Sequence, residues 1–222
     1  MTDTIPQKPL PSTLPIFPLE GALLLPGGDL PLNIFEPRYL EMTRAALAGD
    51  RLIGMIQPCP CPDKMEQGAR PYYNVGCVGR ISEVEETGDG RLLITLHGVS
   101  RFQLQSHHLH DNGYRVGDVD FGSFTHDLAT PNPLPECLTR SCLVDYLKEY
   151  LQKEGLYLDW DLADQVPDHR FYTLLAMVCP FSSAEKQALL EAPNFEERCQ
   201  LLKSLLELAC AEKGNQPKEL QC

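Results

Sequence analysis

Glu36, Pro37, Arg38 and Tyr39 put a carboxylate, a guanidinium and a phenol at one junction, inside the stretch "LPLNIFEPRYLEMTRAALAGD" of residues 30–50. Such a trio can serve active-site chemistry or a partner-binding edge, and it can equally be a well-built helix start. Pro37 at a first helical position has its φ already set, and it lacks only an N–H that would have had no partner there. Glu36 then lies at the positive end of the helix dipole, worth about 0.3–1 kcal/mol. Tyr39 falls on the apolar face, and Arg38 can pair with Glu36 or Glu41. Helix nucleation accounts for these residues without chemistry; ligand contact stays open beside it.

Cys59 and Cys61 in "CPCPDK", with Cys77 further along, offer three thiolates that a histidine would complete into a tetrahedral zinc site. The C-x-C spacing is shorter than the usual C-x₂₋₄-C, and the second half-site is missing, so two loop thiols are the simpler reading. In "HHLH" (107–110), His107 and His108 point to opposite faces of an extended strand, whereas His108 and His110 share one. A solvent-exposed connecting bend explains them more plainly. Asp159, Asp161 and Asp164 around Trp160 lack the glycine and terminal Glu of a calcium loop. They read as a solvated segment between helices, with Trp160 anchored in the bundle. No P-loop, G-x-S-x-G elbow or H-E-x-x-H pair occurs. The expectation is therefore no catalytic residue, no cofactor and no enzyme activity. A metal- or thiol-dependent activity around Cys59, Cys61 and Cys77 is the alternative.

The elements that would carry these groups divide into two kinds. Residues 14–19, 22–26, 30–35, 51–58, 75–86, 91–98, 100–105 and 114–121 read as strands, with "TGDGR" as a hairpin turn. Pro18 and Pro26 suit strand ends and sheet edges, because neither can donate to a ladder. Leu92, Ile94 and Leu96 alternate with Leu93 and Thr95, which predicts one uniformly aliphatic face. One helix interrupts the strands from Pro37, with Tyr39, Met42 and Ala46 on one face and Gly49 closing it. After the prolines of "ATPNPLPE" the periodicity becomes helical, predicting a bundle of four helices. Ser182 and Glu185 have the spacing of a capping box, and Gly214 that of a closing cap.

Composition narrows the partners. The net charge of −12 is shared by both halves: residues 1–122 carry 10 Lys and Arg against 15 Asp and Glu, and the remainder 9 against 16. A phosphate backbone would be repelled by that field, so nucleic acid is not an expected partner. No apolar run approaches the roughly 18–20 residues that span a bilayer, and the N-terminus has no secretory pattern. A cytoplasmic chain is predicted, in which the nine cysteines are reduced thiols.

Taken in order, "LPIFPLEGALLLPGGDLPLNIFEPRY", "GDRLIGMIQP", "VGCVGRISEVEETGDGRLLITLHGVSRF" and "SSAEKQALLEA" resemble the N-terminal, substrate-binding domain of the Lon ATP-dependent protease, in the spacing of its stand-alone bacterial version. The resemblance covers residues 13–210 and rests on the L-P-x-F-P-L opening, the F-E-P-R-Y junction and the G-x-x-R-F hairpin. It implies an α+β fold. A mobile lead-in (1–12) would precede a PUA-like β-pseudobarrel lobe with one helix (13–128), a proline-rich linker (129–136) and a helical-bundle lobe (137–213). It also implies a non-catalytic module for unfolded or exposed polypeptide segments, serving a separate protease or chaperone and able to form a homo-oligomer. Phe35, Glu36, Arg38, Tyr39, Arg101 and Phe102 are the motif positions and hence the binding candidates, though they mark the fold as much as a site. Proteolysis does not carry over, since the nucleotide-binding loop and the Ser-Lys dyad are missing from the sequence. Sheet edges near Pro18 and Pro26, or a cleft near residues 130–135, would receive the peptide.

Overall fold

Six short apolar runs separated by proline and glycine have to find partners across the chain, and they do so by closing a barrel. The computed structural model describes residues 9–60, 72–129, 134–135 and 138–212. Strands β1 (Thr13–Pro18), β2 (Asp29–Ile34), β3 (Leu52–Ile56), β4 (Val75–Glu86), β5 (Leu92–Leu109) and β6 (Arg115–Asp120) form one sheet in the order β2-β5-β4-β3-β1-β6, with β6 returning to pair with β5. Only β1 and β3 run parallel. Strand β5 makes the closure possible because its two halves have different neighbours. Residues 92–97 lie between β2 and β4, and residues 103–109 pair with β6 across a register shift at Leu104/Ser106. The far half of β4, β5 up to His97, and β2 therefore extend beyond the barrel as a three-stranded wing.

The predicted aliphatic face is present: Leu92, Ile94 and Leu96 are buried and Leu93 faces out. All five residues of β3 are buried, as a strand covered on both faces requires. Helix α1 (Pro37–Ala48) buries Tyr39, Met42 and Ala46 and ends at Gly49. Among the described residues five α-helices follow, one more than periodicity predicts: α2 (Ser141–Glu154), α3 (Trp160–Gln165), α4 (Asp168–Val178), α5 (Ser183–Glu191) and α6 (Phe195–Glu212). The extra one is α3. Its single turn and a half is too short to show a period, and Asp159 caps it by accepting from the Leu162 N–H at 3.2 Å. Ser182 and Glu185 form the expected capping box on α5. Gly214, Cys61 and most of the proline-rich linker lie outside the described residues.

Three other expectations are corrected. Residues 22–25 are not a strand, although Leu23, Leu24 and Leu25 are all buried. Flanked by left-handed Gly21 and Gly27, they run as irregular chain into the main core. The segments 91–98 and 100–105 are one continuous strand, so His107 and His108 lie in β5 rather than in a bend. Pro18 does end β1, as a residue that cannot donate to a ladder should, but the strand is not a free edge, because β3 pairs it over residues 16–18 and β6 over residues 13–16.

The inner face of the wing, α1 and helices α2 to α6 share one apolar core, in which Ile34, Met42 and Leu96 belong to the same cluster as Leu143, Leu175 and Leu206. A smaller cluster of Leu14, Ile16, Val78 and Phe102 fills the barrel. Gly98 is where the irregular segment crosses the sheet. Its N–H donates to the Gly28 carbonyl and its carbonyl accepts from the Gly27 N–H, both at 2.8 Å. A Cβ there would sit 2.0 Å from the Leu25 carbonyl oxygen. We expect Gly98→Ala to lower stability by about 1–3 kcal/mol, seen as a lower urea midpoint at an unchanged slope.

Candidate functional site

Arg101 and Phe102 point to opposite sides of β5 and both are wholly buried. Phe102 fills the barrel interior against Gly54 and Gly76, where a Cβ on Gly76 would meet its ring at 2.4 Å. Arg101 faces the 3-10 helix at Gly122–Leu128 and the end of α5. Its Nε and its backbone N–H both donate to Asp127 Oδ2 at 2.9 Å, and Nη2 donates to Oδ1 at 2.8 Å. Nη1 reaches the Leu190 carbonyl at 3.0 Å and the Ala192 carbonyl at 2.5 Å. The guanidinium also lies over the Phe124 ring, 4.6 Å from its centroid, and Nη2 donates to His126 Nε2 at 2.9 Å. One side chain thus ties barrel, 3-10 helix and helical region together. Burial pushes the Asp127 carboxyl up, but the hydrogen bonds and charge of Arg101 outweigh it and hold it below the ordinary carboxylate value.

The junction residues lie elsewhere. Glu36 precedes α1 without capping it; its carboxylate instead accepts from Arg38 Nε at 3.0 Å and Nη2 at 2.7 Å. Arg38 covers the Tyr39 ring at 4.6 Å, and buried Tyr39 packs on Phe17. Burial raises the Tyr39 phenol above its usual pKa, so it is a neutral core group near neutral pH. Phe35 differs from these three. It is 61% exposed, and Arg91 lies 5.9 Å from its ring. The six motif positions therefore do not converge on one site: Arg101 and Phe102 are interior, Tyr39 is core, and Phe35 lies on the surface next to the Glu36–Arg38 ion pair.

Phe35 marks the end of a surface that motif reading did not reveal. Register places Pro31 of β2 and Glu83 of β4 opposite Thr95 of β5, and Asn33 and Glu85 opposite Leu93. These six residues line the outer face of the wing, a shallow groove of about 520 Å³. Leu93 is 40% exposed there. Thr95 Oγ1 donates to Glu83 at 3.1 Å, whereas the Glu85 carboxylate makes no hydrogen bond or ion pair among the described residues. Pro31 lies in the outermost strand and removes one backbone donor from its edge, which disfavours lateral strand addition and leaves the face as the accessible surface. The sequence signal was available in the odd positions of 91–98 and 30–35, read together once the pairing is known.

The sulfur and histidine candidates among the described residues do not assemble. Cys59 is in a disulfide, which corrects the expectation of reduced thiols throughout. Cys77 is a free thiol, 1% exposed, and burial pushes its pKa up, the wrong direction for a metal ligand. His107 interacts with Arg115 at 3.1 Å, and His110 stacks on Tyr114. Among the described residues no three His, Cys, Asp or Glu side chains are grouped to hold a metal ion, and no helix is long and apolar enough to cross a membrane.

Comparison with known proteins gives a consistent result. The profile of the ATP-dependent protease La (LON) substrate-binding domain matches residues 13–207. A Lon protease 2 from Myxococcus xanthus is 28% identical over 100 residues, which are 45% of this chain and 12% of that protein. Across the curated relatives compared, the chain spans 12% to 25% of their length. The Lon N-terminal domain protein from Xanthomonas campestris superposes with a TM-score of 0.54 at 24% identity, over 86% of this chain and 97% of that one. The N-terminal domain of Mycobacterium avium complex Lon protease gives 0.57 at 17% identity, over 88% and 98%. These two likenesses are of fold.

Proposed function

Because the chain belongs to the Lon substrate-binding domain family, we propose that it is a polypeptide-recognition module, which takes up exposed apolar segments of unfolded chains and has no ATPase or protease chemistry of its own. The observation that carries this reading is the outer face of the wing, where Leu93 and Pro31 present exposed apolar surface in the groove and exposed Phe35 continues it at the end of β2. The site chemistry points the same way. The most heavily hydrogen-bonded charge, Arg101, is spent on joining parts of the fold and is closed to substrate. A cytoplasmic setting, and delivery of bound chains to a separate protease or chaperone, belong to this proposal.

Fluorescence anisotropy with a labelled, permanently unfolded polypeptide tests it. Selective binding is expected with a Kd on the order of 10 μM, equivalent to about −7 kcal/mol, and none to the folded form of the same protein. Equal binding to both forms, or binding to neither, would sink the proposal. ATP hydrolysis and casein cleavage by the purified chain should both stay at background.

A further inference from the structure

We propose that the wing groove selects extended segments in which apolar residues alternate with lysine or arginine. This rests on the recognition role just proposed and adds what that role leaves open, the chemical class of the segment. Two carboxylates, Glu83 and Glu85, lie within the groove lining, and no lysine, arginine or histidine does. They come from one strand at a spacing of two, so both project from the same face. Between their row and Pro31 and Asn33 of β2 run Leu93 and Thr95 of β5. An extended peptide laid along β5 therefore meets apolar surface and a parallel row of negative charge.

The two carboxylates differ in what they have left to give. Glu83 already accepts from Thr95. The Glu85 carboxylate has no partner among the described residues; the nearby cations Arg91 and Arg44 are engaged by Asp89 at 2.8 Å and by Glu41 at 3.1 Å. A negative charge left unpaired beside an exposed leucine is complementary to a cationic side chain arriving with an apolar neighbour. The same charges act against a second copy as occupant, since face-to-face pairing would oppose Glu85 to its own kind under a net charge of −12. The blunted β2 edge argues against a strand added at the side.

The test uses the full chain and three labelled peptides of equal length and apolar content, carrying lysine, glutamine or glutamate at the alternate positions. At low salt the lysine peptide should bind about tenfold more tightly than the glutamine peptide, and the gap should narrow as salt rises. In the Glu83→Gln, Glu85→Gln double variant the lysine-to-glutamine ratio should fall to about two. A ratio unchanged in that variant would overturn the inference, because the preference would then come from the overall charge. Equal affinity for all three peptides would overturn it while leaving polypeptide recognition intact. Binding of none would overturn both. Concentration-dependent dimerisation that competes with the lysine peptide would assign the groove to a second copy instead.

Discussion

Replacing Arg101 with methionine is expected to lower folding stability by about 3–5 kcal/mol. Methionine preserves much of the volume, so the loss reports the guanidinium rather than a cavity. Without it, Asp127 keeps a buried carboxylate whose oxygens have lost their donors, and the carbonyls of Leu190 and Ala192 lose theirs. Urea unfolding measures the loss, and a cycle with Asp127→Asn separates the pair from the carbonyl contacts. A drop below about 1 kcal/mol would show that the clasp is replaceable by water. The pair also sets an acid limb. Asp127 has a folded pKa below its unfolded value of about 3.9, so its contribution is complete above that value and is lost as pH falls through the lower folded one. Arg101→Met should flatten that part of the stability profile.

The second large effect is on binding. Leu93→Lys should weaken capture of the unfolded polypeptide at least tenfold, equivalent to about 1.4 kcal/mol, while changing stability by no more than about 0.5 kcal/mol. The substitution removes apolar contact area from the centre of the groove and places a cation next to Glu85, occupying the charge that a basic segment would use. Leu93 is already solvent-facing on the outer side of β5, so the core under it is not disturbed. A variant that binds as wild type would move the recognition surface elsewhere, and exposed Tyr157 and Leu162 around α3 would be the next face to substitute.

The division into strands and then helices was legible because periodicity reports it directly, and the capping box at Ser182 was legible because its chemistry is local. What periodicity missed has a physical pattern. Leu23 to Leu25 looked like a strand because three leucines suit one, yet a segment buried on every side need not be regular. Helix α3 is too short to display a period. Edge or centre cannot be assigned to a strand before its partners are known: Pro18 does end its strand, yet β1 has partners on both sides. The candidate groove was hidden for the same reason. Glu83, Leu93 and Pro31 are unremarkable apart from one another, and only the register of three strands sets them on one face. Arg101, by contrast, stood out through its motif and proved to be an interior clasp.

Barrel closure also sets an order of events as the chain is made. Thr13 and Asp118, paired across β1 and β6, are 105 residues apart, and the carbonyl that Arg101 takes from Ala192 comes 91 residues after it. The β6 side of β1, with Leu14, therefore stays open until residue 118 has been made, although β3 can pair with residues 16–18 earlier. The clasp cannot form until α5 is complete. Late, long-range closure of this kind slows folding and prolongs the exposure of sticky strands. On the recognition role proposed above, a binder of unfolded chains would itself pass through a vulnerable stage of the same kind.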